Sequence, residues 1–291
     1  MTVTAGVLYV VATPIGNLGD ISPRALQVLR EVALIAAEDT RHSRQLLQHF
    51  GIQTPLISLH EHNEQSRIPQ LLSQLRQGKA LALISDAGTP LLSDPGFQLL
   101  RSLREHGLRA VPIPGPSSLL AALSVAGLPT DRFVFEGFLP AKAVARRRRL
   151  EFLAPEERTL IFFEAGHRIQ ASLRAMADVF GADRQAVLAR ELTKLFEEIQ
   201  SATLAELCDW LAAAENRCKG EFVVLVHGAA PPAAAAPDAE LRRLLTVLLE
   251  ELPIKRAVAA AVRLTGVKKN LLYALALELQ GQVRALPAED D

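Results

Sequence analysis

The chain has 291 residues, with 32 lysines and arginines against 32 aspartates and glutamates, 49% apolar residues and 5% aromatic ones. That length buries a large core and predicts two or more domains, and the composition excludes wholesale disorder and a disulfide scaffold. Zero net charge excludes a surface coated in positive charge but leaves room for local basic patches.

In chain order, apolar runs fall at Val7–Ala12, Ala33–Ala37, Ala80–Ile84, Ala110–Ile113, Thr159–Phe163, Ala186–Ala189 and Phe222–Val226. Short runs that are apolar on both faces predict strands buried between helices. Ser22-Pro23, Asp94-Pro95 and Gly115-Pro116 read as helix starts, and Thr203-x-x-Glu206 reads as a capping box. The alternation predicts an α/β fold: two α/β domains with mainly parallel or mixed sheets, at 1–115 and 116–228. An alanine/proline spacer follows at 229–237, and a basic helical module at 238–291. Within it, helix Ile254–Leu264, a turn through Gly266 and a helix from Lys268 have the layout of a helix-turn-helix. A docking or dimerisation hairpin has the same layout. The first apolar run is too short to span a bilayer and no basic leader precedes it, so neither a signal peptide nor a membrane helix is expected and the cytoplasm is. Cys208 and Cys218, spaced C-x9-C, match neither a zinc nor a redox motif, and no metal is expected.

The usual nucleotide fingerprints are missing: no G-x-G-x-x-G follows the first strand, and Gly78-Lys79-Ala80 lacks the rest of a P-loop. In their place, turns rich in glycine, proline and serine follow three predicted strands: Thr13–Asp20, Ser85–Pro90 and Pro114–Ser118. Ligands of open parallel sheets bind beyond the carboxyl ends of the strands, where such turns expose backbone groups. Three in one half of the chain point to a polar, adenosine-sized ligand.

Eight ordered segments carry a resemblance. They are ATPIGNLGDISPRAL (12–26), AEDTRHS (37–43), ISDAGTPLLSDPG (84–96), PIPGPSSLLAAL (112–123), FVFEGFLPAK (133–142), LIFFEAGHRI (160–169), ARELTKL (189–195) and KGEFVVLV (219–226). Together they resemble the tetrapyrrole-methylase class of S-adenosylmethionine-dependent enzymes, and within it the bacterial small-subunit ribosomal RNA (cytidine-2′-O)-methyltransferases. Ala165-Gly166 departs from the Ser-Thr or Ser-Pro often found before His-Arg. The resemblance implies a cofactor cleft between the two α/β domains, a homodimer, and 16S ribosomal RNA of the small subunit as substrate, in the decoding region of an assembled particle. It implies cofactor contacts at Pro14, Gly16, Asp86, Ala87, Gly88, Thr89, Ser117 and Ser118, closed over by Phe162, Phe163, Gly220 and Glu221.

A sulfonium methyl is already electrophilic, so the protein must align it and help remove a ribose hydroxyl proton. Glu38, Asp39, Glu191 and Lys194 are candidates for that step, although Asp39-Thr40 equally fits a helix cap. Arg41, Arg168 and Arg190 suit phosphates, with Arg168 equally placed to pair with Glu164. Lys142 with Arg146, Arg147, Arg148 and Arg149 stands in a segment without acids, and from Pro253 to Arg284 six basic residues, Lys255, Arg256, Lys268 and Lys269 among them, face the single acid Glu278. Four consecutive arginines wrap a helix and repel one another, a cost that a polyanion removes. The net charge is thus an average over two basic islands and an acid-compensated remainder, with the cleft expected near neutral. Two other readings share these residues, a corrin or porphyrinogen C-methylase and a non-catalytic RNA-binding assembly factor. The basic run and basic module are not needed by the first, and cofactor affinity separates the second.

Overall fold

The computed structural model describes residues 3–230 and 237–283, with side chains at 3–230 and 241–279. Most of the spacer (231–236) and the tail from 284, Arg284 included, lie outside the described residues. The chain divides into two compact units, Met1–Ala229 and Ala230–Asp291.

The first unit holds two five-stranded sheets. Strands β1 (Val7–Val11), β2 (Leu34–Ala37), β3 (Leu56–Ser58), β4 (Leu81–Ile84) and β5 (Arg109–Ile113) form the first, in the order β3-β2-β4-β1-β5 with every pair parallel. Its apolar runs work because successive residues serve opposite faces. Val7, Tyr9 and Val11 pack with Val28 and Leu29 of α1 (Pro23–Glu31) and Leu47 of α2 (Thr40–His49). On the other face Leu8, Leu81 and Leu83 pack with Leu71 and Leu75 of α3 (Glu64–Arg76) and Leu99 and Leu103 of α4 (Phe97–Glu105). The connections after β1 and β4 therefore leave toward opposite faces, so the adjacent carboxyl ends of these two strands form a topological switch point.

The second sheet comprises β6 (Phe133–Phe138), β7 (Thr159–Ala165), β8 (Gln185–Arg190), β9 (Glu198–Thr203) and β10 (Glu221–Val226), in the order β6-β7-β10-β8-β9. Only β6 and β7 run parallel; the other pairings are antiparallel, so this sheet is mixed. One face is covered by α6 (Ala143–Leu153), α7 (Gly166–Phe180) and α8 (Leu204–Ala212), through Leu150, Leu173 and Leu207. The other receives α5 (Ser118–Val125), whose Leu119, Ala122 and Leu123 pack on Ile161, Val187 and Val223.

The helix starts hold at Ser22, which accepts a hydrogen bond from Ala25 N, and at Thr203, whose capping box with Glu206 is complete. Two are corrected. Helix α4 begins at Phe97 behind Gly96, so Asp94 caps nothing, and α5 is capped by Ser117 rather than opened at Gly115-Pro116. The second unit contains α9 (Pro237–Glu251), α10 (Ile254–Thr265) and α11 (Lys269–Val283), packed around Leu245, Val258, Ala261 and Leu272. Gly266, at φ 70°, supplies the left-handed turn between the last two. Among the described residues no helix is long and apolar enough to cross a membrane.

Phe162 is fully buried in the core beneath α7 and α8. Phe162→Ala is expected to cost about 3–5 kcal/mol of unfolding free energy, as read by denaturant titration.

Candidate active site

At the switch point the three glycine- and proline-rich turns are stitched together. Thr13 and Gly88 exchange backbone hydrogen bonds of 2.9 and 3.0 Å, joining the turns after β1 and β4. The Thr13 hydroxyl donates to the Ser85 carbonyl at 3.3 Å, and the Thr89 hydroxyl donates to the Pro116 carbonyl at 3.0 Å, which brings in the turn after β5. Gly88 is at φ 80°, and a Cβ there would lie 3.3 Å from Ile15 Cγ2.

These turns form one wall of a cavity of about 330 Å³, facing a wall from the second sheet. Ile15, Glu38, Asp86, Ala87 and Asp94 line the first side; Ser118, Phe138, Phe163, Lys194 and Glu221 line the other. The carboxylates are linked through the backbone: Asp39 N donates to Asp86 Oδ1 at 3.0 Å, and Asp86 N to Glu38 Oε2 at 3.4 Å. Burial, reinforced by Asp94 and Asp86, pushes the Glu38 carboxyl above the ordinary range. Burial raises Asp94 as well, against the opposing effect of its hydrogen bond with Ser85. Glu164 also lines the cavity but is neutralised by Arg168. With Lys194 as the cation of the lining, the cleft is acidic, not near neutral as its sequence surroundings suggested.

Lys194 joins the two walls. Its ammonium donates to Glu191 Oε1 at 2.8 Å and to Glu221 Oε2 at 2.7 Å. Burial works against its charge, but these two partners outweigh burial and hold its pKa above the ordinary value. Its stem crosses Gly16, where a Cβ would stand 2.3 Å from Lys194 Cγ. Among the described residues four non-glycines have positive φ, and they sit in two loops at this cavity: Leu91 (76°) and Ser93 (74°), Glu191 (50°) and Thr193 (66°). Such strain clusters at functional sites.

Of the cofactor contacts the resemblance implied, Asp86, Ala87, Ser118, Phe163 and Glu221 line the cavity. Gly16, Gly88, Thr89, Ser117 and Gly220 shape the turns and joints around it, Gly220 through a close approach to Glu191 that no Cβ would permit. Phe162 is a correction. Neighbouring strand residues point to opposite faces, so only Phe163 reaches the cleft, where its ring lies 4.8 Å from that of Phe135. Asp39 caps α2 through Arg41 N at 2.8 Å, and hydrogen bonds from Arg41 lower its pKa to about 2, which makes it a weak base. Asp94 is the main residue that the sequence reading missed: its Asp-Pro pairing carried a capping signal, and the strained turn that swings it into the cavity has no sequence mark.

The phosphate candidates divide. Arg168 is spent on Glu164 at 3.3 Å and on the Leu139 carbonyl. Arg190 is 8% exposed, with its guanidinium on the carbonyls of Lys219 and Asn216 and on Glu198. Arg146 is equally buried and turned toward the core side of α6. These three leave the RNA-facing set because their donors point into the fold. Lys142, Arg147, Arg148, Lys255, Arg256, Lys268 and Lys269 are exposed, Arg149 is half-buried, and Arg41 is exposed beside Asp39. Among the described residues no group of three or more histidine, cysteine or acidic side chains is placed to hold a metal.

Gly16→Ala forces Lys194 aside and is expected to destabilise the fold by about 1–3 kcal/mol. Adding Lys194→Ala removes the clash, so the double variant should lose less than the sum of the single losses, as measured by chemical denaturation.

The model of the tetrapyrrole (corrin/porphyrin) methylases matches residues 7–208, and that of the RsmI C-terminal HTH domain matches 235–280. The chain is 61% identical to the ribosomal RNA small subunit methyltransferase I of Pseudomonas aeruginosa, over 96% of this chain and 99% of that one. To the protein of the same name from Escherichia coli O157:H7 it is 54% identical, over 95% and 96%. Among solved structures it shares its fold with a cobalt precorrin-4 methyltransferase (TM-score 0.56, 18% identity, 76% of this chain and 95% of that one). A diphthine synthase is equally similar in fold (TM-score 0.56, 16% identity, 76% and 90%). With a family match across most of its first unit and close relatives along nearly its whole length, the chain belongs to the tetrapyrrole methylase family.

Proposed function

We propose that the chain transfers a methyl group from S-adenosylmethionine to the ribose 2′-hydroxyl of a cytidine in 16S ribosomal RNA, in the decoding region of a largely assembled small subunit. It works in the cytoplasm as a homodimer, a point that rests on the family resemblance. The observation that carries the reading is the acidic cavity at the switch point: Glu38, Asp86 and Asp94, which have no ion-pair partner among the described residues, suit a cationic sulfonium and disfavour a phosphate-rich cofactor. The names of the close relatives support the RNA substrate. So do the exposed cations of α6 and of the second unit, which a tetrapyrrole substrate would not require.

Bound in this cavity, the cofactor supplies a methyl group already activated by positive charge on sulfur. Asp86 and Asp94 balance that charge, and Ile15 and Phe163 supply apolar wall. Glu38 is the group assigned to take the hydroxyl proton, because burial and its acidic neighbours raise its proton affinity while Asp39 is held as a cap. The reaction neutralises one positive charge at sulfur and places one proton on a carboxylate, so the charge of the cavity is the same before and after. Lys194, fixed between Glu191 and Glu221, orients this wall and is not free to act as a base.

Mass-spectrometric mapping of 16S ribosomal RNA from cells lacking the protein should show one 2′-O-methylcytidine lost and restored by the wild-type chain. An unchanged methylation map refutes the reading. Glu38→Gln is expected to lower kcat by about 100- to 10,000-fold with little change in KM, in methylation of purified small subunits. Glu38 and Asp94 have raised pKa values, so they are neutral at low pH and ionise as pH rises. Affinity for the cationic cofactor should therefore strengthen with rising pH through the carboxylate range, and affinity for the demethylated thioether should change much less, as read by calorimetry.

A further inference from the structure

Helix α6 sorts its four consecutive arginines. Successive residues of a helix point about 100° apart, so the run cannot share one environment. Arg146 turns inward, Arg147 pairs with Glu151 at 2.9 Å, and Arg149 pairs with Glu136 at 2.6 Å. The side chains of Arg148, and of Lys142 at the start of the helix, are exposed and have no hydrogen-bond or ion-pair partner among the described residues. On the same side the helix presents Val144 at 80% exposure and Phe152 at 71%, each four residues from Arg148. An open groove of about 550 Å³ runs along this face, lined by Lys142, Val144, Ala145, Arg148, Arg149 and Phe152, with no acid. The Arg149 guanidinium stands 5.1 Å from the centre of the Phe152 ring.

We propose that this groove binds single-stranded RNA, with Phe152 stacking on an unpaired nucleobase and Lys142 and Arg148 holding the flanking phosphates. The proposal rests on the reading of the chain as acting on RNA, and names how part of that substrate is held. An exposed aromatic ring on the same helix face as unpaired cations is the combination that single-stranded nucleic acid uses, stacking on the ring and neutralisation along the backbone. A second copy of the chain fits worse. A two-fold interface sets a patch against itself, and here that would oppose Lys142, Arg148 and Arg149 to their own copies. The groove also opens near the cavity: Phe138, which lines it, is four residues before Lys142, within about 14 Å of chain.

Fluorescence anisotropy with a labelled single-stranded oligoribonucleotide, and with the same sequence closed into a duplex, tests the proposal on the full chain. Phe152→Ala should weaken single-strand binding about tenfold and leave duplex binding unchanged, and Phe152→Trp should keep the wild-type affinity. Lys142→Ala with Arg148→Ala should weaken both and flatten the salt dependence for the single strand by about 1.4 in logarithmic slope. Single-strand affinity unchanged in Phe152→Ala, or lowered equally for both RNAs, overturns the stacking site. Unchanged RNA affinity together with a smaller sedimenting species assigns the groove to self-association and overturns the proposal too. If the wild-type chain binds neither RNA, or binds the single strand with an affinity insensitive to Phe152, the proposal fails alone; the RNA reading beneath it fails only where the 16S methylation map is unchanged in cells lacking the protein.

Discussion

The crossing of Lys194 over Gly16 is the joint on which the rest of the first unit depends. A lysine from the loop after β8 lays its stem across the turn after β1, and that turn can accept it only because position 16 has no Cβ. Its ammonium is then fixed by two carboxylates of its own wall, Glu191 and Glu221, and Glu221 N in turn donates to Glu191 Oε1 at 2.9 Å. The contact thus ties the turn after β1 to the loop after β8 and places Lys194 in the lining of the cavity. Apolar packing alone would close this seam: Ile15 already reaches the core of the second sheet. The polar joint beside it lies along a cavity whose lining is acidic.

That acidity changes the meaning of the balanced net charge. Acids are concentrated where β2 and β4 end, and exposed cations lie on α6 and on the helices of the second unit. Both halves of this division follow from burial. Carboxylates at the switch point are partly withdrawn from water, so the protonated form is favoured and a cation or proton there is strongly attracted. The cations of α6 and the second unit are in water, where they attract polyanions over distances that salt sets. A small cationic ligand and a large anionic one are therefore drawn to different places on one neutral chain.

Much of this was legible in the sequence, for physical reasons that also explain what was not. Strands buried on both faces must be apolar throughout, so β1, β2, β4, β7, β8 and β10 stand out as runs; β5 stands out too, but it is an edge strand and largely exposed, so its buried reading is corrected. The three missed strands lack that signature: β3 has only three residues, β6 is interrupted by a bulge near Gly137, and β9 is a polar antiparallel edge. The turns that shape the cavity were visible as glycine, proline and serine clusters, because left-handed backbone and close approach restrict residue choice. The partition of neighbours was not. Phe162 and Phe163 look alike until the strand direction sends one to the core and the other to the cleft. Likewise the arginines of α6 read as one charge run until helical geometry divides them into buried, paired and free.

Asp94 shows why a local rule fails where function intervenes. Asp-Pro is a strong helix start, and using it would be worth about 1 kcal/mol as a cap. Instead Leu91 and Ser93 adopt left-handed backbone, at a cost of about 1–3 kcal/mol each, and Gly96 at φ 120° starts the helix later. Against a total stability of about 5–15 kcal/mol for a domain, that is a large concession. Its structural return is small, a hydrogen bond between Asp94 and Ser85. The opposite wall makes the same concession at Glu191 and Thr193, beside the lysine that joins the sheets. Strain on both sides of one cavity points to the site without reference to charge or kinship. It falls where the carboxylates converge and where the parallel strands of the first sheet reverse their order, so three independent constraints select the same space.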